Sequence, residues 1–278
     1  MTTLDTIIQN ALAEDIHTGD ITTRAVLGER EGREARARMT AKEALVLAGI
    51  DVAGRVFQLL DPRVRFTPHF TDGAPLAAGE LIAEITGDAA ALLQGERVAL
   101  NLLQRMCGIA TLTARYVAAV EGTGARVVDT RKTTPGLRVL EKYAVRVGGG
   151  ANHRTGLYDG VLIKENHIAA AGGIAAAVGR ARAHIPHTLK IEVETETLAE
   201  VAQALDAGAD IIMLDNMDTA TMKEAVAMIG GRALVEASGG VNLETVAAIA
   251  ATGVDIISVG ALTHSCRAMD ISMLLEVV

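Results

Sequence analysis

Leu189-Lys190-Ile191-Glu192-Val193-Glu194, Ile211-Ile212-Met213-Leu214, Ala233-Leu234-Val235-Glu236-Ala237 and Ile256-Ile257-Ser258-Val259 are four short β-rich runs that begin about 22 residues apart. That interval holds one strand, one helix and two short loops, so the stretch reads as repeated βα units. Upstream, Arg126 to Asp129 and Val161 to Lys164 extend the series to six parallel-strand candidates separated by Ala-rich helical stretches. Nearly every run ends in polar or charged residues: Asp129 with Arg131 and Lys132, Lys164, Glu192 and Glu194, Asp215, Glu236 with Ser238, and Ser258. In a closed barrel those residues share one rim, whereas an open doubly wound sheet gathers only those at its switch point. Six polar strand ends therefore predict an α/β barrel with a site on its C-terminal rim.

The chain before Gly124 has a different texture. Leu4, Ile7, Ile8, Ala11 and Leu12 recur at helical spacing and predict an opening amphipathic helix. Residues 35–41, 44–50 and 81–86 read as strands with a helix over 51–60, an α+β module. Residues 88–120 read as helical, carrying Arg97 in the early turns, with Gly108 as a break.

Composition limits what the site can bind. The 278 residues are 50% hydrophobic, yet no uncharged apolar run reaches the roughly 18 residues of a membrane span. Met1-Thr2-Thr3-Leu4-Asp5 lacks the basic-then-apolar pattern of a secretory leader, so a soluble, cytoplasmic protein is expected. Cys107 and Cys266 have no partner at metal or redox spacing and are expected as buried, inert thiols. A net charge of −8 argues against a nucleic-acid surface, and an aromatic content of 2% argues against base-stacking or carbohydrate platforms. Charged and polar groups must carry recognition.

Those groups cluster. Asp129-Thr130-Arg131-Lys132-Thr133-Thr134-Pro135-Gly136 places two cations and three hydroxyls at a strand exit. A solvated turn would explain an isolated Arg-Lys pair. Gly148-Gly149-Gly150-Ala151-Asn152-His153-Arg154 and the lysine of Val161-Leu162-Ile163-Lys164 bring further positive groups to the same rim. With Arg131, Lys132, His153, Arg154 and Lys164 together, the match is a dicarboxylate or a phosphate, because Arg offers a planar fork and Lys a mobile point charge. Glu194 and Asp215 form an acidic half of the rim, able to hold magnesium or ribose hydroxyls, or to pair with the lysines. Ser238-Gly239-Gly240 and Gly260-Ala261 follow the last two strands, where barrels bind phosphate on bare backbone N–H groups. His167 and His264 lie beyond strand ends and are read as structural hydrogen-bonding residues.

The runs Asp129 to Gly136, Glu141 to Arg146, Gly148 to Arg154, Lys164-Glu165-Asn166-His167, Leu214-Asp215-Asn216 and Val259 to Ser265 closely resemble nicotinate-nucleotide pyrophosphorylase (carboxylating), also called quinolinate phosphoribosyltransferase. The resemblance covers essentially the whole chain, including Gly19-Asp20-Ile21-Thr22-Thr23, and no motif position departs from it. It implies an N-terminal α/β sandwich over 1–108, joined by 266–278, and an incomplete α/β barrel of six or seven strands over 109–265. It also implies a homodimer, with further association left open. The implied reaction joins quinolinate and phosphoribosyl pyrophosphate, with Mg2+, into nicotinate mononucleotide, pyrophosphate and CO2 in de novo NAD biosynthesis. By motif, Arg131, His153, Arg154 and Lys164, aided by Arg97 of the partner subunit, would hold the quinolinate carboxylates, with Thr130 and Lys132 in the same grip. Glu194 and Asp215 would face ribose and magnesium and, with Lys132, form the catalytic set. Ser238, Gly239, Gly240, Val259, Gly260 and Ala261 would cradle phosphate. Rival readings are the related molybdenum-locus protein, a barrel that only binds a phosphorylated effector, and a nicotinate or nicotinamide transferase. The last would leave part of the cationic cluster unpaired.

Overall fold

The computed structural model describes residues 3–28 and 33–277, so Met1 and Thr2 of the stretch read for a leader lie outside it, as does Val278. The elements run, in chain order, α1 Leu4–Ile16, α2 Ile21–Leu27, β1 Glu34–Ala41, β2 Leu45–Val46, α3 Ile50–Leu60, β3 Arg65–Pro68, β4 Pro75–Leu76, β5 Leu81–Asp88, α4 Ala89–Ala119, β6 Arg126–Val128, α5 Arg138–Val147 and β7 Val161–Ile163. They continue as α6 Glu165–Ala171, α7 Ile174–His184, β8 Ile191–Thr195, α8 Leu198–Asp206, β9 Ile211–Asp215, α9 Thr219–Ile229, β10 Leu234–Ser238, α10 Val246–Ala250, β11 Ile256–Ser258, α11 Ala261–His264 and β12 Ile271–Val277. Two compact units result: Met1–Leu112 with Thr134–Gly148 and Cys266–Val278, and Thr113–Thr133 with Gly149–Ser265.

The first unit is built on an antiparallel sheet in the order β12-β1-β5-β3. β1 alternates strictly, burying Ala35, Ala37, Met39 and Ala41 while its arginines stay outside, as period-two geometry demands of a half-buried strand. Its other edge is filled by the end of the chain, with Ala35 opposite Val277 and Ala41 opposite Ile271. Phe57 of α3 stacks on Phe66 of β3 with ring centroids 6.3 Å apart, and Gly95 leaves α4 room to pass Phe57. The strand expected over 44–50 shrinks to β2. The N–H groups of Gly49 and Ile50 donate instead to Asp72 at 2.8 and 3.0 Å, and the left-handed Gly49 starts α3. Gly108 does not break α4, which runs unbroken to Ala119; a Cβ there would lie 2.0 Å from the Arg267 carbonyl oxygen, so the glycine serves a close approach. The short helix α2, capped by Asp20 on the Thr23 N–H, and the strand β3 were not anticipated.

In the second unit six strands lie parallel in the order β6-β11-β10-β9-β8-β7. From β7 to β11 each strand pairs with the next in the chain, and β11 then pairs with β6, the first. A sequential walk that returns to its starting strand is that of a barrel, since a doubly wound sheet reverses its order midway. Among the described residues the β6–β7 seam carries no ladder, and Ala151 makes an isolated bridge to Val128. The barrel is therefore incomplete and six-stranded. Alternation along β8 buries Ile191, Val193 and Thr195 on one face and turns Glu192 and Glu194 to the other.

Candidate active site

The C-terminal ends of the barrel strands surround a cavity of about 570 Å³ lined by Thr130, Arg131, Lys132, His153, Arg154, Lys164, Glu194, Asp215, Asn216, Glu236, Ser238, Gly239, Gly240 and Ser258, with Leu162 and Met213 below. Eleven residues of the sequence-predicted site thus meet in one pocket, although they span more than a hundred positions of chain. Val259 and Ala261 are not on its wall; the Val259 N–H donates to the Val128 carbonyl at 2.9 Å and continues the β6–β11 pairing. Gly260 lies beside Lys132, whose Cδ would be 3.1 Å from a Cβ placed there. Arg97 is exposed on α4, in the other unit.

Local hydrogen bonds explain how the Thr130-Arg131-Lys132 turn holds its shape. Asp129 is fully buried and accepts from the Asn152 side chain and from the His153 N–H at 2.9 Å, tying the β6 exit to the glycine-rich segment. Thr130 Oγ1 accepts the Lys132 N–H at 3.0 Å, and Thr263 Oγ1 donates to the Lys132 carbonyl at 2.8 Å. The Lys132 backbone is held on both sides while its exposed ammonium stays mobile. Asp129 is thus a strut beneath the anion grip rather than a part of its surface.

Arg154 is half-buried and its Nη1 donates to the Gly160 carbonyl at 3.0 Å. Burial, and after it the charge of Arg131, holds its guanidinium below the usual arginine range. Two guanidinium groups held close enough to repel make a place for an anion with more than one carboxylate. Lys164 pairs with Glu194, the alternative open to the acidic rim. Asp215 accepts from the Asn216 side chain at 2.6 Å, and Asn216, at φ 55°, donates its N–H to the Ser238 carbonyl at 3.0 Å. Gly239, at φ 87°, would bring a Cβ within 2.2 Å of the Asn216 Oδ1, so the loops after β9 and β10 interlock. His167 Nδ1 accepts the Lys164 N–H at 3.0 Å and His264 bonds Ser265, structural roles in both cases.

Deeper in the same pocket His153 meets two carboxylates. His153 Nδ1 accepts the Arg154 N–H at 2.7 Å, which puts the ring proton on Nε2. Nε2 lies 3.0 Å from Glu192 and 3.6 Å from Glu236. Both ring nitrogens are engaged within the protein, and the imidazole braces Arg154 from the pocket wall. Glu192 and Glu236 are buried, and burial followed by the Glu192 charge pushes the Glu236 carboxyl up to about 8. The side-chain parity of β8 and β10 carries the signal for both, since each lies two residues before a rim residue on the same face.

The thiols agree with expectation in part. Cys107 is buried and pushed up to about 12 by that burial, whereas Cys266 is half-buried. No helix among the described residues is long and apolar enough to cross a membrane.

Comparison with known proteins places this geometry in a family. Residues 20–107 match the N-terminal domain, and residues 109–274 the C-terminal domain, of quinolinate phosphoribosyl transferase. The chain is 48% identical over 270 residues to the probable nicotinate-nucleotide pyrophosphorylase [carboxylating] of Bacillus subtilis, covering 97% of this chain and 92% of that one. Quinolinate phosphoribosyltransferase [decarboxylating] 2a of Nicotiana tabacum is 42% identical over 289 residues, covering 97% and 81%. The crystal structure of NadC from Streptococcus pyogenes superimposes with a TM-score of 0.94 at 45% identity, covering 99% of this chain and 97% of that one. Matched across both domains, at this identity and with the whole fold shared, the chain belongs to the quinolinate phosphoribosyltransferase family.

Proposed function

We propose that the barrel pocket binds quinolinate and phosphoribosyl pyrophosphate and joins them, releasing pyrophosphate and CO2 and leaving nicotinate mononucleotide. The observation that carries this reading is the meeting of Arg131, Lys132, Arg154 and Lys164 with Glu194, Asp215, Glu236 and the Ser238-Gly239-Gly240 turn in one cavity of a chain with net charge −8. A ligand with several carboxylates and phosphates satisfies all of them. A monocarboxylate leaves part of the cationic cluster unmatched.

Arg131 and Arg154 grip the two ring carboxylates, with Lys164 released from Glu194 to join them. Two contacts fix ring orientation, so the pyridine nitrogen meets the ribose carbon as an oriented neighbour instead of by chance encounter. As the ribose–pyrophosphate bond lengthens, negative charge grows on the departing oxygens and positive charge on the sugar. Lys132 can follow the first, while Glu194 and Asp215 offset the second, and each effect is stronger in the transition state than before it. Glycine-bounded N–H groups after β10, with Gly260 beside Lys132, receive the phosphate.

Glu194 and Asp215 also fit magnesium: both are carboxylates at the rim of one pocket, and hard oxygen donors suit that ion. When bound, Mg2+ supplies charge neutralisation to the pyrophosphate oxygens. Arg97 reaches the site of a partner subunit in this reading, which makes the homodimer the working form, in the cytoplasm. Purified protein given carboxyl-labelled quinolinate and magnesium should release labelled CO2 only when phosphoribosyl pyrophosphate is present, with nicotinate mononucleotide formed in equal amount. Absence of release at saturating substrates would return the case to the molybdenum-locus relative or a binding-only barrel.

A further inference from the structure

Loss of CO2 from the ring leaves a bookkeeping demand that the rim residues do not meet. The bond from the ring carbon beside the nitrogen to its carboxylate breaks, the electron pair stays on that carbon beside the newly cationic nitrogen, and one proton must then arrive there. Arginine does not surrender a proton, so Arg131 and Arg154 are excluded as its source. Lys164 is committed first to Glu194 and then to a carboxylate.

Glu236 has the required position. Its side chain is 2% exposed, and it lies on the wall of the substrate pocket with one carboxyl oxygen, Oε1, lacking any hydrogen-bond partner. Glu192 lies close enough to Glu236 to repel it, also carries an unpartnered oxygen, and is already satisfied on its other oxygen by His153 Nε2. A carboxylate buried beside a second buried carboxylate is costly to keep charged. Burial, and after it the Glu192 charge, accordingly pushes Glu236 up to about 8. A second cavity of about 650 Å³, which reaches Arg126, Lys190 and Ile256 near the opposite strand ends, is also lined by His153, Glu192 and Glu236. Glu236 and His153 line both cavities and Glu192 only the lower one, so Glu236 sits between the substrate pocket and a separate path to solvent.

We infer that Glu236 is the acid of the decarboxylation step, giving its proton to the ring carbon exposed by departure of CO2 and regaining one from solvent through the lower cavity. The step balances without a redox partner: a C–C bond and an O–H bond break, a C–H bond forms, and the carboxylate left behind is stabilised for a moment by His153 Nε2–H. This rests on the function proposed above.

The test separates the two halves of the reaction in the complete protein with magnesium. Glu236→Gln keeps the shape and the hydrogen-bonding reach of the side chain but has no proton to give. Pyrophosphate release in the first turnover should stay within a few-fold of the unsubstituted protein, while nicotinate mononucleotide formation falls by roughly 10²-fold or more, the ordinary contribution of a placed acid. With protonation slowed, the carbanion should recapture added ¹³C-labelled CO2, an exchange not seen in the unsubstituted protein. Glu236→Asp, which retains an acid one methylene further away, should recover part of the product rate and suppress the exchange. If Glu236→Gln forms product at the original rate with no exchange, water supplies the proton and the inference is overturned. Equal loss of pyrophosphate release and product in both variants would mark Glu236 as structural and also overturn it. Should the glutamine chain not fold, the aspartate chain decides alone, through slowed product with intact pyrophosphate release or the absence of that split. Failure of the unsubstituted protein to release pyrophosphate at all would instead strike the proposed function.

Discussion

Arg131 and Gly239 mark two kinds of functional residue, one acting by charge and one by the absence of a side chain. Arg131→Ala should weaken quinolinate binding and turnover together by roughly 2–5 kcal/mol, as expected when one member of a desolvated charge pair is removed; unchanged kcat/KM would refute its place in the grip. Gly239→Ala introduces a Cβ 2.2 Å from Asn216 Oδ1 at φ 87°, where a side chain is strained as well as crowded. We expect at least a tenfold rise in KM for phosphoribosyl pyrophosphate with quinolinate affinity little changed, measured by steady-state kinetics and by direct titration. Both residues were legible because residue type and strand-end position suffice to flag them. Glu236 was legible as a carboxylate near a strand end, but its depth was not, because depth depends on how strands tilt and stagger around the barrel.

At the level of elements, two helical glycines show how context sets the meaning of one residue type. Gly179 in α7 has open space where a Cβ would go, so Gly179→Ala should be neutral or stabilise by about 0.5–1 kcal/mol through helix propensity. Gly108 in α4 faces the Arg267 carbonyl at 2.0 Å from the same hypothetical atom, so Gly108→Ala should destabilise by roughly 1–3 kcal/mol or more and lower Tm by several degrees. Differential scanning calorimetry of the two variants decides it, and equal behaviour would count against the close approach. Reading Gly108 as a helix break followed from propensity alone. What overrides propensity is a contact with residues about 160 positions away, which no local window contains. The strand expected over 44–50 failed in the same way, because Asp72, distant in sequence, takes the N–H groups that a ladder would have used. The barrel strands came through within a residue or two since each carries its own β-branched run and its own polar end.

For the whole molecule, the open question of assembly has a direct experiment. If Arg97 serves the site of a partner subunit, Arg97→Ala and Lys132→Ala chains, each inactive alone, should regain activity when refolded together, at up to about one intact site per mixed dimer. Verified mixing with no recovery would confine each site to its own chain. The distribution of charge belongs to this scale too: in a chain of net charge −8 the fold collects Arg131, Lys132, Arg154 and Lys164 from distant strand exits and sets them against Glu194, Asp215 and Glu236 in one pocket.

By itself the sequence determined the βα period, the alternation that sends every second strand residue into the barrel, the set of cations at the strand exits and the family to which those motifs point. These are properties of residues near one another in the chain, and side-chain chemistry with backbone periodicity expresses them locally. Only the tertiary structure decided that six strands walk in order and return to the first, that Glu192 and Glu236 meet beneath His153, that Lys164 rests on Glu194, and that Gly108 yields space to a carbonyl. Each of those depends on strand register and long-range packing, where small differences in stagger choose the neighbour, and a linear pattern carries no measure of such distances.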